Sequence, residues 1–187
     1  MHRNKLLKLL YNYTPTEIDE IKFKNDVIEF VEQNEDCFES SLPAGHITGS
    51  AWLLNNSGDA ALLTHHAKLD KWFQLGGHCD GDPDVLGVAI REAQEESGIE
   101  NIQPVSDQIF DIDIHFFPKT LKNEGHYHYD IRFLLQVKGA EDFKISSESK
   151  ELRWFGKDKL KLPNSDRSIT RMFDKWIKLR VTHATEE

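Results

Sequence analysis

The segment from Gly76 to Ile99 constrains this chain more than any other: Gly-Gly-His-Cys-Asp-Gly-Asp-Pro-Asp-Val-Leu-Gly-Val-Ala-Ile-Arg-Glu-Ala-Gln-Glu-Glu-Ser-Gly-Ile. A turn dense in Gly and Asp feeds a helix that ends in a crowd of carboxylates. Asp82 reads as its N-cap, with Pro83 at the first helical position, where a missing N–H costs nothing. Gly98 suits the left-handed residue that closes a helix. The helix between them is predicted to be about 22 Å long at ~1.5 Å per residue.

Helical spacing divides it into two faces. Val85, Leu86, Ala89, Ile90 and Ala93 recur at the period of a buried stripe. Glu92, Glu95 and Glu96 fall three and four apart and crowd one surface. Two carboxylates about 5 Å apart repel by roughly 3 kcal/mol at an effective dielectric of 20. Arg91, four before Glu95, offsets only part of that. Acidic helix faces are usually just solvated, but this one follows a Gly-Gly turn and is pinned by its apolar flank. A divalent cation is the better reading, and hard oxygen ligands suit Mg²⁺ or Mn²⁺.

Gly77 followed by Arg91-Glu92-Ala93-x-Glu95-Glu96-x-Gly98-Ile99 resembles the signature of the Nudix hydrolases. That signature runs Gly, five residues, Glu, seven residues, then Arg-Glu-aliphatic-x-Glu-Glu-x-Gly-aliphatic. Eight of its nine fixed positions are met if Ala93 counts as aliphatic. The departure is Pro83, standing where the family has its first Glu, and Asp82 or Asp84 is the candidate to replace that charge beside Arg91. The resemblance implies an α/β (α+β) fold, the family's α/β/α sandwich with a mixed β-sheet. It implies Glu95 and Glu96 as metal ligands with the Gly77 carbonyl, Glu92 as ligand or base, and Arg91 as a positioning residue. It also implies a further Glu in a late loop, with Glu148 first choice and Glu151 second, as ligand or general base. The implied reaction is Mg²⁺-dependent hydrolysis of a phosphoanhydride bond, Mn²⁺ substituting, in a nucleoside diphosphate linked to another moiety such as ADP-ribose or a sugar. A nucleoside triphosphate is the alternative substrate. An isopentenyl-diphosphate isomerase using Cys79 and a catalytically silent nucleotide-sensing module are the other readings.

Around this centre the chain is expected to divide into an N-terminal helical extension, residues 1–42, and a domain resembling the Nudix hydrolases, residues 43–187. Residues 3 to 13 form a short amphipathic helix. Thr14-Pro15-Thr16-Glu17 reads as N-cap, first-turn Pro and capping-box Glu of a second helix running to Asn34, with Ile18, Ile21, Val27, Ile28 and Val31 inward. The extension is expected to serve as a lid, a brace or a homodimer contact. Ile47 to Leu54, the turn Asn55-Asn56-Ser57-Gly58-Asp59 and Ala60 to Thr64 predict a hairpin. Trp72 reads as core.

His65, His66 and Lys68, and His78 beyond them, stand where a substrate phosphate would be held, or are surface residues at a strand end. The run from His65 to His78 resembles that of a bacterial branch of MutT-like proteins of unassigned substrate. Strands are predicted at Ile102 to Val105 and Ile109 to Phe117, the latter half-buried with Ile112, Ile114 and Phe116 inward and Asp111, Asp113 and His115 outward. His126, His128 and Asp130 share one strand face with Arg132. We read them as lining a pocket in preference to forming a complete zinc site. Leu152 to Phe155 predicts a late strand. Ser165-Asp166-Arg167-Ser168 caps a last helix with Ile169, Met172, Phe173, Trp176, Ile177 and Leu179 inward, and residues 183–187 form a frayed tail.

A formal charge of −9 argues against a nucleic-acid backbone as partner. No apolar run approaches the roughly 20 residues of a membrane span, and the N-terminus lacks a signal-peptide h-region. With Cys37 and Cys79 its two cysteines, the chain is expected in the reducing cytoplasm. Its expected partner is a small nucleotide-type diphosphate.

Overall fold

The computed structural model describes residues 2–119, 125–146, 149–163 and 166–179. Glu148, Ser165 and the proposed tail therefore lie outside the described residues. The elements are α1 (Asn4–Asn12), α2 (Ile18–Gln33), β1 (Gly45–Leu54), β2 (Ala60–His66), β3 (Lys71–Phe73), β4 (Leu75–His78), α3 (Val85–Ser97), β5 (Ile102–Pro104), β6 (Asp111–Phe117), β7 (His126–Val137), β8 (Ser149–Gly156) and α4 (Arg167–Lys178), with a short 3₁₀ turn at Lys159–Lys161.

One mixed sheet forms the middle layer. β1 and β7 run parallel, from Gly45 opposite Tyr127 to Leu54 opposite Gln136. The other pairings are antiparallel: β2 and β4 on the free edge of β1, β5 and β6 on that of β7, and β3 and β8 on β2. Alternation along β1 sends Ile47, Ala51 and Leu53 to one apolar layer under α1, α2 and α3. Trp52 and Leu54 go to another under α4. The arrangement is the expected α/β/α sandwich. Leu6 and Leu10 of α1, and Val27 and Val31 of α2, belong to the same core cluster as Ile47, Val88 and Phe133. At ~1.5–3 kcal/mol per fully buried side chain, that shared packing fixes the front helices to the sheet.

Four expectations are corrected. The central helix starts at Val85 with Asp84 as N-cap, accepting from Gly87 N at 3.3 Å. Asp82 closes a turn onto Asp84 N instead, at 2.9 Å, so Pro83 precedes the helix. Gly98 does take the left-handed conformation, φ 71°. In α2 the capping role passes from Glu17 to Glu20, whose buried carboxylate accepts from Thr16 N and Glu17 N, each at 3.2 Å. The helix therefore begins at Ile18, and Ile18 and Ile21 point outward, 83% and 53% exposed. In α4, Asp166 is the N-cap, and Ile177 and Leu179 are exposed while Ile169, Met172, Phe173 and Trp176 are buried.

The fourth correction is the largest. In β6 the aspartates are buried, and Phe116 is exposed. The reason is charge compensation, since a buried carboxylate persists only when paired and hydrogen-bonded. Asp111 meets Arg132 Nη1 at 3.0 Å, Arg171 Nη2 at 2.8 Å and Lys175 Nζ at 2.7 Å. Asp113 meets Arg171 at 3.0 Å. Lys175 also binds Glu20, the Tyr13 hydroxyl at 2.8 Å and the Phe110 carbonyl at 3.1 Å. One ionic network thus ties α2, β6, β7 and α4 together.

Candidate active site

The antiparallel pairing of β4 with β1 puts Gly76 opposite Ser50 and Gly77 opposite Gly49. α3 packs across both β1 and β4 and brings its acidic end to this double glycine. Glu96 Oε2 accepts from Gly76 N at 3.0 Å. Glu92 packs on Gly77 closely enough that a β-carbon there would sit 2.5 Å from its Cδ. Glu95 stands further out, its side chain 64% exposed and 3.9 Å from Arg91 Nε. Burial raises the Glu92 carboxyl above the ordinary range, while the Arg91 hydrogen bond and charge oppose the shift.

Arg91 ties the helix end to the turn. Its Nη2 donates to the His78 carbonyl at 3.3 Å and to Glu92 at 3.2 Å. Of the two acids flanking Pro83, Asp82 faces it, 3.8 Å from Nη1. Asp84 caps α3 and pairs with Lys5 at 2.7 Å. The donor chemistry fits a hard divalent cation: Glu92, Glu95, Glu96 and the Gly77 carbonyl supply carboxylate and carbonyl oxygens with Arg91 as their brace.

The remaining sequence-predicted residues fall in three places. His65 stacks on Trp72, ring centroids 5.1 Å apart, and approaches Asp70 at 3.1 Å. The His66 ring accepts from Lys68 N and Leu69 N, each at 3.2 Å, which caps the β2–β3 turn, and Lys68 is exposed. Asp130 is 1% exposed and accepts from Thr48, Ser50, Gln74 and Arg132 at 2.7–3.0 Å. It anchors β1, β7 and the strand junction before Leu75. His78, His126 and His128 gather with His46, a residue that the sequence pattern does not single out. The available signal is the alternation His46-x-Thr48-x-Ser50, which marks a polar strand face.

Glu151 is paired with Arg153, whose Nε donates to it at 2.9 Å. Cys79 is 1% exposed and burial pushes its thiol well up, which argues against the cysteine proton relay of an isomerase. An open cleft between α2 and the β6–β7 pair, lined by Phe30, Ile114 and Tyr129 among others, contains none of the α3 acids.

Comparison with known proteins fits this geometry. The model of the NUDIX domain family matches residues 42–176. The asymmetrical bis(5'-nucleosyl)-tetraphosphatase of Rattus norvegicus is 29% identical over 109 residues, covering 56% of this chain and 68% of the rat protein. Among solved structures, an Ap4A hydrolase of C. elegans superposes with a TM-score of 0.55 at 18% identity, over 70% of this chain and 94% of its own. A MutT protein from Methanosarcina mazei Go1 gives 0.53 at 23% identity, over 73% and 96%. These two structures share the fold. Among the described residues, no helix is long and apolar enough to cross a membrane.

Proposed function

Because this chain belongs to the Nudix hydrolase family and acts on pyrophosphate bonds, we propose that it cleaves a phosphoanhydride bond in a nucleoside diphosphate linked to another moiety. A dinucleoside polyphosphate is the first substrate to test, and ADP-ribose or a nucleotide sugar the second. The observation that carries this is the convergence of Glu92 and Glu96 on Gly76 and Gly77 of β4, with Glu95 one residue away on the same helix end. The rat relative's name supports the order of substrates.

Glu95, Glu96, Glu92 and the Gly77 carbonyl are the residues that would hold Mg²⁺ or Mn²⁺. A divalent ion so bound neutralises phosphate charge and makes water a stronger nucleophile. The chain's own residues do the rest. Arg91 fixes Glu92 and the His78 carbonyl in one arrangement, so the acids meet the substrate preorganised. A carboxylate then takes the proton of the attacking water, and Glu92, Glu148 and Glu151 are the three candidates.

The test is a panel of dinucleoside polyphosphates, ADP-ribose, nucleotide sugars and nucleoside triphosphates, incubated with Mg²⁺ or Mn²⁺ and resolved by product mass. Release of a nucleoside monophosphate or diphosphate, abolished by chelator, supports the proposal. Binding without turnover across the panel would leave the sensing module instead. Conversion of isopentenyl diphosphate without hydrolysis would leave the isomerase.

A further inference from the structure

The parallel register of β1 and β7 sets His46 directly opposite His128, and β4 brings His78 alongside, opposite Thr48. One ring nitrogen from each of His46, His78 and His128 lies within 4.8 Å of the others. The His46 ring is fully buried, yet neither of its nitrogens has a hydrogen-bond partner among the described residues. Burying a polar group unpaired costs on the order of 1–3 kcal/mol, so this ring stands where a ligand would repay it. His126 adds a fourth imidazole, its Nε2 3.1 Å from that of His128.

We propose that His46, His78 and His128 form a second metal site, for a zinc-class transition-metal ion, separate from the carboxylates of α3. Nitrogen-only donors suit Zn²⁺ far better than Mg²⁺. Tetrahedral zinc with N ligands at ~2.0–2.1 Å spaces those nitrogens by roughly 3.4 Å. The three therefore need to close by no more than about 1 Å each, which side-chain torsions accommodate. His126 or a water completes the coordination. The ion would clamp β1, β4 and β7 at the end of β4 next to Gly77. The site stands independently of the proposed hydrolase substrate.

The experiment uses the full-length chain without a histidine tag, stripped of metal and titrated with Co²⁺ in excess Mg²⁺. An intense visible d–d absorption at one equivalent, displaced by Zn²⁺, is expected. It should persist in Glu95→Gln and Glu96→Gln, and disappear in His46→Gln and in His78→Ala. His78 is exposed at the end of β4, so its variant keeps the fold, and its circular dichroism checks this. Zinc affinity in His78→Ala should fall by more than about 100-fold, beyond the 10–100-fold typical of outer-sphere partners. The proposal is overturned if no such band forms, if it survives His78→Ala, or if it vanishes in the Glu variants while the histidines are intact. Hydrolysis in Mg²⁺ alone separates this outcome from failure of the substrate assignment.

Discussion

Gly77 and Glu92 share one volume: the space a β-carbon would occupy at Gly77 is filled by the Glu92 carboxylate, whose Cδ would be 2.5 Å away. Glycine is required there because the acid must reach the backbone of β4. The pair couples β4 to the helix and sets where the carboxylates end up.

Gly77→Ala should therefore leave the fold intact and displace Glu92. A displacement of about 1 Å at a catalytic group costs on the order of 10²-fold in rate. Steady-state kinetics beside an unchanged circular dichroism spectrum would check this. Near-normal kcat would show that the Glu92 position is not critical.

Glu95→Gln and Glu96→Gln keep side-chain size, and in the second variant the new amide oxygen can still accept from Gly76 N. Each variant removes one negative charge from the proposed cation site. Loss of one fixed electrostatic group at a phosphoryl centre lowers kcat by on the order of 10²–10³-fold. The Mg²⁺ concentration for half-maximal rate should rise as well. Unchanged turnover in both variants would refute the site assignment.

Asp82→Asn weakens the brace on Arg91 across a 3.8 Å, partly exposed pair. Such pairs are worth about 0.2–1 kcal/mol, so kcat/KM should drop by no more than roughly fivefold. Asp84→Asn retains the N-cap and should not alter kcat/KM. An equal effect of the two would mean that Asp82 does not stand in for the acid missing at Pro83.

Leu10→Ala tests whether the front helices belong to the core. Leu10 is 0% exposed within the main cluster, and such truncations cost about 2–5 kcal/mol. A single, cooperative urea transition shifted by that amount is expected. A separate early transition would instead show that α1 and α2 unfold alone.

Acid should unfold the chain by way of the β6 network. Burial alone would raise the Asp111 and Asp113 carboxyls. The hydrogen bonds of Arg171 and the charges of Arg132 hold both below the ordinary range, joined by Lys175 at Asp111 and by the His115 hydrogen bond at Asp113. A depressed folded pKa contributes stability above the unfolded value, near pH 4, and loses it as pH falls below that. Urea midpoints should therefore hold from pH 7 to about 5 and drop steeply below about 4. Asp113→Asn should be less stable at pH 7 and show a shallower acid limb. Equal slopes would contradict the network's role.

Local signals suffice for the helix from Val85 to Ser97, its three acids, the Gly98 cap and the hairpin at Asn55–Asp59. Each depends on spacings of a few residues, where side-chain period and turn chemistry act directly. Those same signals start the helix two residues early, because three aspartates lie within five positions and only the folded turn selects Asp84. Alternation places Asp111 in solvent because it takes the polar face of a strand to be the wet one. The partners that bury it, Arg132 and Arg171, lie 21 and 60 residues away. The alternation at His46 marks a polar face but not its neighbours, for the same reason: it meets His128 only through a parallel register between strands 82 residues apart. Such pairings are chosen by which faces the apolar residues of two layers can bury together, an energy summed over the whole core and carried by no short stretch of chain.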